Sequence, residues 1–382
     1  MTPVPATLNS SPIPIVLVVR ELGSGGIERD VAKLALGLDP NRFSCYVAAY
    51  QPEGVRASEL RAAGVPIMRL DVPNLKSLRA VRTAIRFANF IRKNKIKLIH
   101  AWDSSAVFAV PLARLLRVPV ILSSVLGNRS LIDARSQKQF QSTDRLVDAI
   151  VVNCEAMRRH MIEDYSVPPE RVELCYNGVN TGEFYPAGGP KPEPVAGASL
   201  VIGAVCVLRV EKNLELLQKA FAKIAHLAPN SKLLLVGSGP ELPKLQENSR
   251  RLGIEKDCIF VPAVPAVAPF LRAIDIFVSC SYSEAFSNAL LEAMACGCCV
   301  VGSRVGGTPE LIADDERGLL FESGNAEELT HKLTRLIEDP ALRERLAANA
   351  AQFASHNLNM LRNVECMSGI YEAMLRKKRV KV

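Results

Sequence analysis

Two glutamates, Glu284 and Glu292, sit in a stretch that mixes acids with small residues and glycines. It reads Ser-Glu-Ala-Phe-Ser-Asn-Ala-Leu-Leu-Glu-Ala-Met-Ala-Cys-Gly from Ser283 to Gly297, with Gly306-Gly307-Thr-Pro-Glu310 shortly after. The apolar, β-branched run at 274–278 predicts a buried strand. Ala289, Leu290, Ala293 and Met294 have helical spacing, with Gly297 as the stop. Glu284 then lies at the carboxyl end of a strand, where open α/β sheets place their ligands. Glu292 lies two turns down the following helix, on the order of 12 Å away at ~1.5 Å rise per residue. Between them the helix start offers unpaired amides and the positive end of its dipole. That arrangement suits a diphosphate with a hydroxyl-bearing ring at each end. The competing reading is a surface helix with two solvated glutamates, which two acids alone do not exclude.

The elements around this stretch extend the pattern. The run at 200–208 predicts a strand, and Arg209, Glu211, Lys212 and Asn213 follow it at once. Fixed cations there would offset the charge of a departing diphosphate without a metal. No Asp-x-Asp occurs in the chain, so neither metal nor cofactor is expected. The strand at 232–236 runs into Gly237-Ser-Gly239, a tight turn. As a dinucleotide fingerprint this turn fails, because the third glycine and the ribose-binding acid are both missing.

The first half repeats the alternation of strand and helix. A run buried on both faces at 13–19 meets Gly23-Ser24-Gly25-Gly26 and then a helix. Further strands are expected at 43–49, 66–70, 97–102, 118–125 and 149–153, with helices at 55–63, 77–93 and 104–116, which implies right-handed βαβ units and a parallel sheet. His100 ends one of these strands. It reads either as a functional imidazole or as a satisfied core residue.

Glu284-x7-Glu292 followed by Gly306-Gly307-x-Pro309-Glu310 resembles the donor-binding signature of the retaining glycosyltransferases of family 4. The similarity runs over nearly the whole chain. It implies the GT-B fold: α/β, with two Rossmann-like doubly wound parallel-sheet domains facing a central cleft. It further implies a nucleotide-sugar donor whose ribose hydroxyls bind Glu292 and whose sugar lies against Glu284. Ala285, Phe286, Ser287, Asn288 and Leu290 would line that donor, with Gly237 and Gly239 near the nucleotide. Lys212 and Arg209 would hold the diphosphate. Gly25 and Gly26 match the family's amino-terminal phosphate loop; the alternative is a turn that only reverses the chain. The sequence departs from the family twice. The arginine usually five residues before the lysine is Val207 here, with Arg209 three before. No second His follows the strand at 118–125, leaving Asn128 and Arg129 as substitutes beside His100.

With 382 residues, 48% of them apolar, the chain can fill two cores. The expected division is 1–182 for an acceptor-binding domain, 183–199 for a linker, 200–356 for the donor domain and 357–382 for a helix returning to the first. The ten cysteines are scattered through apolar runs, as free thiols of a reducing cytoplasm are. Cys296-Gly-Cys298-Cys299 is rejected as a metal site for want of further ligands nearby. No run of ~18 apolar residues is present to span a bilayer, and residues 1–12 lack a signal peptide's pattern.

The net charge of +8 concentrates between Asp71 and Asp103, which has no acid. Lys76, Arg79, Arg82 and Arg86 share one helix face there, with Leu78, Val81, Ile85 and Ala88 expected opposite. This helix reads either as a contact with an anionic membrane, peripheral on the cytoplasmic face, or as a solvated helix packed on a sheet. Sparse aromatics argue against nucleic acid. The acceptor expected is a glycan, glycolipid or small molecule, in polysaccharide, lipopolysaccharide or glycolipid synthesis. Rival functions are a sugar-nucleotide epimerase, a non-catalytic nucleotide-sugar sensor and an NAD-dependent oxidoreductase.

Overall fold

The computed structural model describes residues 11–380 apart from 24, 130 and 131; the readings made on residues 1–10, Ser24 and Lys381 lie outside them. The chain divides into two compact units. The first holds Met1–Val152, Arg158–Cys175 and Asn363–Val382; the second holds Asn153–Met157 and Tyr176–Arg362.

In the first unit, β1 (Ile13–Glu21), α1 (Gly26–Gly37), β2 (Phe43–Gln51), α2 (Val55–Ala62), β3 (Ile67–Arg69), α3 (Leu78–Lys93) and β4 (Leu98–Trp102) follow one another. Then come α4 (Ala106–Leu115), β5 (Val120–Val125), α5 (Ala134–Asp144), β6 (Ala149–Val152), α6 (Glu155–Glu163) and β7 (Val172–Leu174). The strands pair in parallel in the order β3-β2-β1-β4-β5-β6-β7. Ile15 to Val19 are essentially buried because helices cover both faces, which explains the unbroken apolar run of β1. The strand order reverses between β1 and β4.

The second unit contains β8 (Val201–Val205), α7 (Leu214–Ile224), β9 (Lys232–Val236), α8 (Leu242–Arg251), β10 (Cys258–Val261), α9 (Ala268–Ala273) and β11 (Ile276–Ser279). It continues with α10 (Asn288–Ala295), β12 (Cys299–Ser303), α11 (Thr308–Leu311), β13 (Leu319–Phe321), α12 (Ala326–Glu338) and α13 (Pro340–Asn357). Its parallel sheet runs β10-β9-β8-β11-β12-β13 and reverses between β8 and β11. The final helix α14 (Met360–Lys377) belongs to the first unit from Asn363 onward.

Two local expectations need correction, and one helix was not expected. The strand expected to reach Leu208 stops at Val205, because the chain bends so that Leu208 bonds the Ser238 carbonyl at 3.0 Å. Helix α5 was not legible: its sequence is mostly polar, and only Phe140, Thr143 and Asp144 are buried. Helix α3 covers Ala88 of the four apolar residues expected opposite its basic face, but not Leu78, Val81 and Ile85. It buries Ala80, Thr83, Phe87, Ala88 and Ile91, and leaves those three exposed.

Candidate functional site

The reversal of strand order in the second unit sends the chain to opposite faces of the sheet after β8 and after β11. The carboxyl ends of these neighbouring strands therefore open onto a crevice. The loop after β8 supplies Lys212, and the loop after β11 supplies Glu284. Lys212 Nζ donates to Glu284 Oε2 at 2.6 Å, with side chains only 23% and 16% exposed. The loops are tied to each other, since the Tyr282 amide donates to the Glu211 carbonyl at 2.8 Å. Ser281 Oγ also donates to Glu284 Oε2 at 3.2 Å, and its carbonyl accepts from Ser303 Oγ at 2.7 Å. Burial by itself would lower the lysine pKa, but the charge of Glu284 and its hydrogen bond outweigh burial and raise it. Lys212 is a fixed cation.

Helix α10 starts one turn beyond Glu284. Ser287 caps it, its side chain accepting from the Leu290 amide at 3.3 Å. Leu290 is fully buried and Glu292 is 2% exposed, in the middle of the helix. Ala285 and Phe286 are both 5% exposed, and Asn288 accepts from Asn177 Nδ2 at 3.0 Å. The loop carrying Glu284 is clamped from the other side by Gly306-Gly307. Gly306 has φ +50°, and a Cβ there would lie 1.6 Å from the Glu284 carbonyl oxygen. The Gly307 amide donates to the Ala285 carbonyl at 2.7 Å. Gly237 does the same beside β8: φ is +147°, and a Cβ would meet the Cys206 carbonyl at 1.9 Å. At Gly239 a Cβ would lie 2.4 Å from the Leu208 carbonyl oxygen.

The structure thus brings Lys212, Glu284 and the start of α10 to one crevice edge, with Gly237 and Gly239 on the next strand end. Arg209 is different. Its side chain is 60% exposed and its nearest carboxylate is Glu211 at 3.8 Å. Gly25 and Gly26 lie in the first unit, where Gly25 is the N-cap of α1 at the end of β1. His100 lies in that unit's core with no exposure. Its Nδ1 is 2.8 Å from the Tyr371 hydroxyl, its Nε2 is 2.8 Å from Ser124 Oγ, and burial lowers its pKa to about 3. Of the two readings of His100, this geometry is that of the satisfied core residue. Arg129 forms a two-pronged pair with Asp144 and stacks 4.8 Å above Phe140.

Two residues, Ser281 and Asp103, escaped the sequence reading, and the sequence gives Glu310 only as part of the signature. Ser281 aims Glu284, and only the serine-rich run around it hints at this. Glu310 accepts from the amides of Glu155 and Ala156 at 2.8 and 2.9 Å and from the Tyr176 hydroxyl at 2.8 Å, so it caps α6. Asp103 follows β4 with φ +50° and lines a hollow of about 210 Å³ with Ser124, Asn128 and Arg129. Burial raises the Asp103 carboxyl pKa, opposed by Arg129 and Arg20. Cys296, Cys298 and Cys299 are buried, and burial pushes all three thiols up. Among the described residues no group of three His, Cys, Asp or Glu is placed to hold a metal ion.

Two doubly wound parallel sheets in succession define a GT-B fold, and comparison with solved structures agrees. The crystal structure of HepE from Anabaena in complex with UDP superposes with a TM-score of 0.83, over 94% of this chain and 100% of that one, at 20% identity. The family model "Glycosyltransferase Family 4" matches residues 24–183, and "Glycosyl transferases group 1" matches residues 191–353. The chain belongs to glycosyltransferase family 4. D-inositol 3-phosphate glycosyltransferase of Segniliparus rotundus is 29% identical over 218 residues, covering 55% of this chain and 48% of that protein. N-acetyl-alpha-D-glucosaminyl L-malate synthase of Bacillus anthracis is 33% identical over 212 residues, 55% of each. The chain matches about half the length of these relatives.

Proposed function

We propose that the protein transfers a glycosyl group from a nucleoside-diphosphate sugar, linked to uridine or guanosine, to an acceptor hydroxyl with the anomeric configuration retained. The observation that carries this reading is the lysine–carboxylate pair of Lys212 and Glu284 at the strand-order reversal of the second unit, one turn before a capped helix start. A diphosphate needs cations and amides, and a sugar needs a carboxylate acceptor beside it; this corner has all of them. HepE's complex with UDP supports the nucleotide.

In the proposed reaction the bond from the anomeric carbon to the donor phosphate breaks and a bond to the acceptor oxygen forms. The acceptor's proton passes to the departing phosphate oxygen. Lys212 stabilises the charge growing on that diphosphate, and the α10 amides share it. No metal is required for this offset. Glu284 orients the sugar hydroxyls and stabilises positive charge at the anomeric carbon. Glu292 accepts from the ribose hydroxyls. Gly25 and Gly26 add backbone amides to the donor phosphates, and Arg209 adds a second, mobile cation. The first unit takes the acceptor, and the hollow beside Asp103 offers a carboxylate to its hydroxyls. The relatives' names support an acceptor that is a small polar molecule, and glycan or glycolipid acceptors fit the same chemistry. Ten free cysteines support a reducing, cytoplasmic compartment.

A thermal-shift panel of nucleotide sugars tests the donor. At about 100 times its Kd a true donor stabilises by ~2.7 kcal/mol, and NADH should produce no shift. Incubating the selected donor with and without an acceptor mixture, each with a chelator, tests the rest. Donor conversion without acceptor would make the protein an epimerase, and loss of transfer on chelation would overturn the metal-free mechanism.

A further inference from the structure

Helix α3 has an unusual cross-section. One face, Ala80, Thr83, Phe87, Ala88 and Ile91, is buried against the first unit. The outward half is divided lengthwise into two ridges. Leu78, Val81 and Ile85 form an apolar ridge, exposed by 76%, 54% and 57%. Arg79, Arg82 and Arg86 form a basic ridge beside it, all exposed. A monomer in water gains nothing from holding three large aliphatic side chains in a row on its surface. The row continues past the helix start, since Leu75 is 50% exposed and also lines an apolar groove of about 600 Å³ with Val107, Pro111 and Leu146. Arg135 and Lys138 line the same groove. Between Asp71 and Asp103 the chain has no acid, and among the described residues only Asp71 itself reaches a basic residue of the ridge, at 3.9 Å from Arg79.

We infer that the outward face of α3, continued by the Leu75 groove, is a docking surface for an anionic lipid bilayer. The apolar ridge enters the boundary between headgroups and acyl chains while the arginines beside it meet the lipid phosphates. This division of an interfacial helix matches the layering of a bilayer surface. Charge complementarity selects this occupant over a second copy of the chain: pairing two such faces would bring arginine ridges together. Attachment is peripheral and reversible, because no described helix is long and apolar enough to cross a membrane. None of the residues assigned to the sugar chemistry is on α3.

Vesicle co-sedimentation of the full chain tests this, with phosphatidylcholine alone and with about 30 mol % phosphatidylglycerol added. Two triple variants are compared, Leu78→Ser/Val81→Ser/Ile85→Ser and Arg79→Gln/Arg82→Gln/Arg86→Gln. All six positions are exposed, and UDP-induced thermal shifts report that the fold is intact. Wild type should bind the anionic vesicles and release in high salt. The arginine variant should bind about a hundredfold more weakly, and the serine variant at least ~10-fold more weakly even at low salt. Equal binding to both vesicle types overturns the inference, as does unchanged binding by either variant. A wild-type dimer in solution that the serine variant abolishes would make a second copy the occupant, and overturns it equally.

Discussion

Replacing Glu284 with glutamine should tighten the binding of free UDP while nearly abolishing transfer. In the structure Lys212 already has a partner, with Nζ 2.6 Å from Glu284 Oε2. At an effective dielectric near 20 the attraction at that separation is on the order of 6 kcal/mol before desolvation. The raised lysine pKa shows that this attraction outweighs the burial of the ammonium. An incoming diphosphate must compete with Glu284 for the same cation. Glutamine keeps the volume and an acceptor oxygen but removes the charge, so the apo protein holds a poorly compensated lysine.

Such an uncompensated ion destabilises the apo state, and the diphosphate restores its counter-charge. The difference between the two states is about one charge-assisted hydrogen bond, ~1.5–3 kcal/mol. Affinity for UDP should therefore rise by roughly 10- to 150-fold. Turnover should fall by ~100-fold or more, because the positive charge developing on the sugar loses its carboxylate. Calorimetric titration of UDP into wild type, Glu284→Gln, Lys212→Met and the double variant closes a cycle that isolates the pair. Lys212→Met should weaken UDP at least ~10-fold, and Glu284→Gln should bring no gain in its presence. If Glu284→Gln weakens UDP as much as Lys212→Met does, the competition does not exist and the roles assigned here are wrong.

Glu292→Gln should cost about a hundredfold in UDP affinity through weaker ribose hydrogen bonds, yet leave inorganic pyrophosphate binding within ~2-fold; equal losses for both ligands would place Glu292 away from the ribose. Gly306→Ala should reduce UDP binding at least ~10-fold and lower the melting temperature, since its Cβ would lie 1.6 Å from the Glu284 carbonyl; wild-type behaviour would show the clamp to be unnecessary. His100 has a folded pKa of about 3 against an ordinary 6.5. Only the unfolded chain takes its proton in that window, so the contribution of neutral His100 is complete above pH 6.5 and lost as pH falls toward 3. At pH 5 the loss is about 2 kcal/mol, and a His100→Gln variant should show a flatter fall in stability between pH 7 and 5. Cys366 is exposed, and a hydrogen bond from Cys175 holds its thiol below the usual range. Brief alkylation near neutral pH followed by mass mapping should find Cys366 modified first of the ten; modification of a buried thiol ahead of it would refute this.

The legible parts of the molecule are those whose local chemistry and tertiary role coincide. The run of β1 is apolar on both faces because both faces are covered, and it is found at Ile13–Glu21. The Gly297 stop marks the end of α10 because the chain there turns to a positive φ, +87°, which glycine adopts without strain. Glycines before carboxylates gave the loops, since Gly306 and Gly237 stand where a side chain would strike a carbonyl. What failed depends on partners distant in sequence. Helix α5 is mostly polar because it covers only a narrow strip, around Phe140 and Thr143. From sequence His100 reads as a strand-end histidine, yet it is the middle residue of β4, and its surroundings come from Tyr371 on the last helix, 271 residues away.

Helix α3 shows the limit of periodicity most directly. Its spacing gives an amphipathic helix with Leu78, Val81, Ile85 and Ala88 opposite the basic face, yet of these four only Ala88 is buried. Hydrophobic periodicity finds a stripe, not what covers it. Here two apolar stripes share one helix: a mixed one of Ala80, Thr83, Phe87 and Ile91 that the protein covers, and the stronger aliphatic one that it leaves open. The covered stripe is held by its aromatic residue, since Phe87 stacks on Phe108 of α4 with ring centroids 6.4 Å apart. The branched residues 78, 81 and 85 are surplus to that packing. A sequence that maintains surplus aliphatics in line, beside a line of arginines, specifies a second surface as definitely as it specifies a core.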